Sequence, residues 1–98
     1  MSELEKDIEE FAVDYAKLRN LRIEKLAGPV GWPDRTIFGL PMRGKMAYVE
    51  FKTKNGKVAR AQQFWLNYLA GCGHATAIIR SKEQAKQFID HLIQEDEE

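Results

Sequence analysis

The run Gly28-Pro29-Val30-Gly31-Trp32-Pro33 constrains the folding of this chain more than any other short stretch. Proline fixes φ and lacks an N–H, and glycine costs entropy in any regular element. Two of each in six residues exclude helix and strand alike. The run therefore splits the chain into a short N-terminal part and a longer C-terminal part joined by a stiff loop. Before it, Leu4, Ile8, Phe11, Ala12, Tyr15 and Leu18 recur at helical spacing, which predicts an amphipathic helix over 3–19. Ser2 and Glu5 are spaced as a capping box at its start, and Leu21 to Leu26 reads as a short strand.

Beyond the loop, Arg35 to Leu40 reads as extended, because Thr36, Ile37 and Phe38 favour strands. Gly39 to Lys45, with Pro41 and Gly44, is a turn, and Met46 to Thr53 is the next strand. Lys54-Asn55-Gly56-Lys57 is a turn marked by its Asn-Gly pair. Ala59 to Cys72 is a helix ended by Gly71 and Gly73, and Ala75 to Ile79 is a buried strand. Ser81 opens a last helix reaching about Gln94, with Ala85, Phe88, Ile89, Leu92 and Ile93 on one face; Glu95 to Glu98 is a like-charged, frayed end. The order is α-β-β-β-α-β-α, an α/β chain. Its 98 residues make one domain, 1–98, without internal repeats.

Composition closes off several classes. An apolar fraction of 44% argues against wholesale disorder. The single cysteine, Cys72, precludes an internal disulfide, reads as a small buried hydrophobe, and fits a reducing cytosol. Met1 to Glu10 is acidic and lacks the apolar stretch of a signal peptide, and no run approaches the length of a membrane span. The net charge is zero, yet it is unevenly spread. Residues 17–60 carry 11 Lys/Arg against three Asp/Glu, whereas residues 1–16 carry one against six and residues 61–98 three against six. A basic middle between acidic flanks suits either a solvated loop region or a polyanionic substrate.

Two of the three acids in that basic middle are Asp34 and Glu50. Asp34 follows the rigid loop and begins a strand; Glu50 and Lys52 share one face of the next, opposite Ala47, Val49 and Phe51. If the two strands form a hairpin, the start of one lies beside the end of the other, and Asp34 meets Glu50 and Lys52. Two carboxylates and a lysine suit a metal-dependent phosphodiesterase. The carboxylates hold a hard divalent cation, and the lysine orients water or offsets charge on the phosphate. Gln62, in the first turn of the following helix and in line with Leu66 and Leu69, needs partners if buried. Glu5 can supply another oxygen from the first helix. Each residue also has a plain reading: Glu50 and Lys52 as a solvated strand face, Asp34 as a turn former, Gln62 as a helix-end hydrogen bonder, Glu5 as a cap. His74 and His91 lack the spacing of a zinc site, and no C-x-x-C, G-x-x-x-x-G-K or G-x-S-x-G occurs. Trp32 reads as a cover for the loop, and Trp65 and Tyr68 as core or subunit contact rather than a base-stacking platform.

The string Gly31-Trp32-Pro33-Asp34-Arg35, then Val49-Glu50-Phe51-Lys52-Thr53, Gly56, Gln62 and Gly73-His74, resembles the VRR-NUC domain, a branch of the PD-(D/E)xK nuclease superfamily. The resemblance runs from Glu5 through the last helix. It implies a restriction-endonuclease-like α-β-β-β-α-β core with a C-terminal helix. By that resemblance Asp34, Glu50, the Phe51 carbonyl and Glu5 would hold Mg²⁺ or Mn²⁺, and Lys52 and Gln62 would complete the catalytic set. Lys25 would contact phosphate. Arg35, Lys54, Lys57 and Arg60 join it as basic residues for nucleic acid. One departure is Ala59, where the family commonly has a small hydroxyl residue; it puts the local helix cap in doubt. The small stand-alone members are typical of bacteriophages and their hosts, which implies the cytoplasm of a bacterial host cell. The resemblance further implies DNA hydrolysis to a 5′-phosphate and a 3′-hydroxyl, by a homodimer selective for branched DNA such as a four-way (Holliday) junction. Alternatives are a nuclease of flaps or linear duplex, a restriction-type enzyme, and a non-catalytic DNA-binding or assembly module.

Overall fold

A computed structural model of the chain describes residues 3–94; the Ser2 cap and the 95–98 tail fall outside the described residues. The elements are α1 (Glu5–Leu18), β1 (Arg22–Glu24), β2 (Arg35–Phe38), β3 (Ala47–Phe51), α2 (Arg60–Gly71), β4 (Ala75–Ile79) and α3 (Lys82–Gln94), in the order the sequence predicts. They form one four-stranded sheet of order β1-β2-β3-β4. β1 with β2 and β2 with β3 are antiparallel; β3 with β4 is parallel. A parallel pair needs a long crossover, and α2 is that crossover.

Helix α1 starts two residues later than the periodicity suggests. Leu4 occupies the N-cap position, without a side-chain acceptor, and its carbonyl takes the N–H groups of Asp7 and Ile8. Glu5 and Asp7 place negative charge at the positive end of the helix dipole instead. Asn20, at φ 64°, stops α1 in the left-handed conformation that ends many helices. At α3, Ser81 Oγ accepts the N–H of Gln84 at 3.1 Å, the cap its position predicts.

The sheet is covered on both faces. Helices α1 and α3 pack on one, where Ile8, Ala12, Ile37, Ala47, Val49, Phe51, Ile79, Ala85, Ile89 and Leu92 form the hydrophobic core. Helix α2 packs on the other, over β3 and β4, with Leu66 and Leu69 buried. Strand β3 is consequently buried along its whole length, Tyr48 and Glu50 included. The reading of Glu50 and Lys52 as a solvated face fails here, because α2 takes the place of water. β4 departs from its reading as a buried strand. Among the described residues it is the edge of the sheet, paired only with β3, and within it only Ile79 is fully buried. Cys72 also departs from expectation. It is exposed, because it caps the C-terminus of α2 where the chain reverses through Gly73 at φ +96°.

Candidate active site

The loop that precedes Asp34 is clamped onto α2. Gly31 has φ +87°, and a Cβ there would lie 2.5 Å from Ala61 Cβ, so only glycine lets the loop touch the first turn of α2 this closely. Trp65 Nε1 donates to the carbonyl of Val30 at 3.2 Å, and the Trp32 ring meets Tyr48 and Trp65 edge-on at centroid distances of 5.7 and 5.3 Å. The clamp delivers Asp34 to the end of the β2–β3 ladder. Arg35 pairs with Val49, so Asp34 arrives opposite Glu50. Its Oδ2 accepts the N–H of Phe51 at 2.8 Å.

Glu50 lies at the centre of the site and is only 2% exposed. Its Oε2 accepts Nε2 of Gln62 at 2.9 Å and lies 3.8 Å from Lys52 Nζ. Its Oε1 is buried and has no hydrogen-bond partner among the described residues. Burial foremost, and then the neighbouring Asp34 carboxylate, push the Glu50 pKa up to about 7; Lys52 pulls it back, and Glu5 adds the smallest upward push. The cluster is therefore short of positive charge.

Gln62 resolves the question raised by Ala59. With no hydroxyl at the N-cap, only half of a capping box forms: Gln62 Oε1 accepts the Ala59 N–H at 2.8 Å. That bond orients the amide so that its NH₂ faces Glu50. Lys52 continues the parallel ladder, its N–H bound to the Ile79 carbonyl at 3.0 Å, and its side chain is 15% exposed at the mouth of the site.

The other expected residues divide into groups. Lys25, Lys54, Lys57 and Arg60 are exposed. Arg35, expected to contact nucleic acid, lies on the opposite face from Asp34, because adjacent strand residues alternate. Its Nε pairs with Glu9 Oε2 of α1 at 2.7 Å. Glu5 opens α1 and is exposed. Among the described residues no three His, Cys, Asp or Glu side chains are grouped to hold a metal ion, so Glu5 does not close into one cage with Asp34 and Glu50. His74 serves the backbone, its Nδ1 accepting the Met46 N–H at 3.1 Å. Tyr68 is exposed rather than core, and Trp65 is half-buried.

Arg80 escaped the sequence reading. Its Nη1 donates to the carbonyls of Thr53 at 2.9 Å and Gly56 at 2.7 Å, fixing the turn that follows Lys52 and carries Lys54. No spacing rule singles out one arginine at a strand end; only the fold brings β4 beside that turn.

The donor set fits a hard divalent cation. A buried carboxylate oxygen without a donor, a second carboxylate beside it and a raised pKa are what added positive charge would relieve. Two carboxylates with a backbone carbonyl and waters suit Mg²⁺ or Mn²⁺, which do not need an all-protein cage.

No protein-family model matches the sequence, and no curated protein matches it. Solved structures do. One described as "VRR_NUC domain" aligns with a TM-score of 0.77 and 26% identity, covering 89% of this chain and 95% of that one. Another, described as "VRR_NUC domain protein", aligns with a TM-score of 0.79, covering 96% of this chain and 91% of that one; at 15% identity it speaks for the fold alone. By its mixed four-stranded sheet, the order of its elements and these alignments, this chain has the fold of the VRR_NUC domain structures.

Proposed function

We propose that this domain is a Mg²⁺- or Mn²⁺-dependent, structure-selective DNA endonuclease that acts as a homodimer on branched DNA, four-way junctions included, in the cytoplasm of a bacterial host. The observation that carries the reading is the buried, under-compensated Glu50 with the half-buried Asp34 beside it, flanked by Lys52 and Gln62 at the end of β3. Asp34, Glu50 and the Phe51 carbonyl would hold the ion; Glu5 adds negative charge from further off. A bound divalent ion supplies Lewis-acid charge for a phosphodiester and its attacking water. The chain's own groups do the positioning. The Phe51 N–H fixes the Asp34 carboxylate, and Gln62 fixes Oε2 of Glu50 and leaves Oε1 free. The Lys52 ammonium, at the mouth, offsets charge that develops on the phosphate during in-line attack.

Two-fold symmetry suits a branched substrate, since a pair of domains presents two cuts symmetrically. The test is a divalent-ion titration against labelled four-way, flap and linear duplex DNA, with Glu50→Ala alongside. Ion-dependent cleavage with 5′-phosphate products, lost in Glu50→Ala and fastest on branched DNA, is the expected result. Full activity in Glu50→Ala would end the assignment; equal rates on linear duplex would end structure selectivity; a monomer by light scattering, with and without DNA, would end the homodimer.

A further inference from the structure

Helix α2 turns Gln62 toward Glu50 and turns aromatic rings outward. Phe64 is 58% exposed and Tyr68 56% exposed. Their rings are stacked, with centroids 6.4 Å apart and planes within 13°. Trp65 braces both edge-on, at 5.1 Å from Phe64 and 5.8 Å from Tyr68, and is itself held by the Val30 carbonyl and the Trp32 ring. The polar residues of this outward side, Gln63 and Asn67, bond to each other at 2.9 Å. Exposed aromatic rings held still by a rigid backing lose little entropy when something flat lies on them.

Charge tells which flat thing. Between Glu50 and Glu83 the sequence contains no Asp or Glu, while it contains six Lys/Arg. Lys54, Lys57 and Arg60 lead directly into α2 and are exposed. Phe64 and Tyr68 follow Gln62 by two and six residues, roughly 3 and 9 Å along the helix axis, on the side of α2 turned away from it. A positively charged approach feeding a row of exposed aromatic rings is how proteins hold unpaired nucleotides: cations track phosphates and rings stack on bases of any sequence. The apolar area is small for a subunit contact. Two rings of about 150–250 Å² each, little more than half exposed, fall well short of the roughly 800 Å² per partner of a stable interface.

We infer that Phe64 and Tyr68, backed by Trp65, form a stacking platform for unpaired nucleotides on the outward side of α2, so that the domain reads single-stranded character in the DNA it holds. The inference rests on the nuclease reading for what happens at Glu50, but binding to the platform does not require cleavage. It selects, among branched substrates, those that offer unpaired bases near the branch.

The test uses the full chain in EDTA, where no cleavage occurs, and a short labelled oligothymidylate as probe. The same strand without bases and a blunt duplex serve as comparators. Wild type is expected to bind oligothymidylate with quenching of tryptophan fluorescence, and the abasic strand about tenfold or more weakly. Phe64→Ala/Tyr68→Ala should lower the ratio of oligothymidylate to duplex affinity by roughly tenfold or more. Phe64→Trp/Tyr68→Trp, which keeps flat faces, should restore it. An unchanged ratio in the alanine variant, equal affinity for the abasic strand, or no binding by wild type overturns the inference. So does a wild-type dimer that the alanine variant turns into monomers, with affinity lost only in step with dissociation. Glu50-dependent cleavage with no stacking signature would sink the platform and leave the nuclease standing; stacking without cleavage under Mg²⁺ or Mn²⁺ would do the reverse.

Discussion

Two charged clusters in this molecule use the same kinds of side chain to opposite ends. At the α1–α3 seam, Asp90 accepts Tyr15 Oη at 2.5 Å, pairs with Arg19, and lies 3.2 Å from Lys86 Nζ. Those partners, the Tyr15 hydrogen bond first, hold the Asp90 carboxyl below its usual range despite some desolvation. At the end of β3 the balance is reversed. Glu50 is deep, shares its surroundings with Asp34, has a single cation at 3.8 Å, and keeps one oxygen without a donor. Its pKa rises to about 7. A cluster that satisfies its own charge near solvent holds two helices together; a cluster left short of charge in the interior is prepared to receive some.

Substituting Glu50 should break that contrast most severely. Glu50→Gln is expected to lower divalent-dependent cleavage by roughly a thousandfold or more, while making the metal-free protein more stable at pH 8. The sign follows from the titration. Folded Glu50 takes up its proton near 7, above the ordinary 4.5. Between those values the folded state holds a proton that the unfolded chain has released. Glu50's contribution to metal-free stability is thus fully present below 4.5 and is lost as pH rises through about 7. Thermal melts in EDTA from pH 5 to pH 8 (about 3 pH units) should show this decline in wild type and a flatter profile in Glu50→Gln. A fall in stability for Glu50→Gln at pH 8 would mean the site is not short of charge.

Lys52→Met should come next, lowering kcat by about a hundredfold or more, with DNA affinity in EDTA changed far less. Single-turnover cleavage and equilibrium binding together separate the two, and an effect on affinity alone would remove Lys52 from the chemistry. Gln62→Ala is expected to cost roughly tenfold to a hundredfold in cleavage and about 1–2 kcal/mol in stability, since it strips donors and acceptors from Glu50 and Ala59 at once. The smallest effect belongs to the seam. Asp90→Asn should leave cleavage unchanged and lower the Tm only slightly, as ion pairs close to solvent contribute little and the amide oxygen still accepts from Tyr15. A large loss of activity there would erase the distinction between the clusters.

Much of this was legible in the chain. Glycine and proline at 28–33 and the apolar periodicities gave element order, because those signals are local. The approach of Asp34 to Glu50 was readable from one assumption, that consecutive strands pair as a hairpin, and the register of Arg35 with Val49 bears that assumption out. Residues whose environment depends on a distant neighbour were less readable. Strand alternation could have set Arg35 on the face opposite Asp34, yet its partner Glu9 lies 26 residues away. Arg80 carried no spacing signal at all; helical spacing set Phe64 and Tyr68 off the Leu66 and Leu69 stripe, but the bracing of Trp65 by Val30, 35 residues away, was not readable.

The sequence by itself determined the elements, their order and the identity of the groups that can do chemistry, since propensity, periodicity and side-chain type act over a few residues. Only the tertiary structure decided that Glu50 is buried rather than solvated. That required α2 to cross back over β3 and shut out water, and exclusion of water is what turns an ordinary strand glutamate into one that titrates near 7.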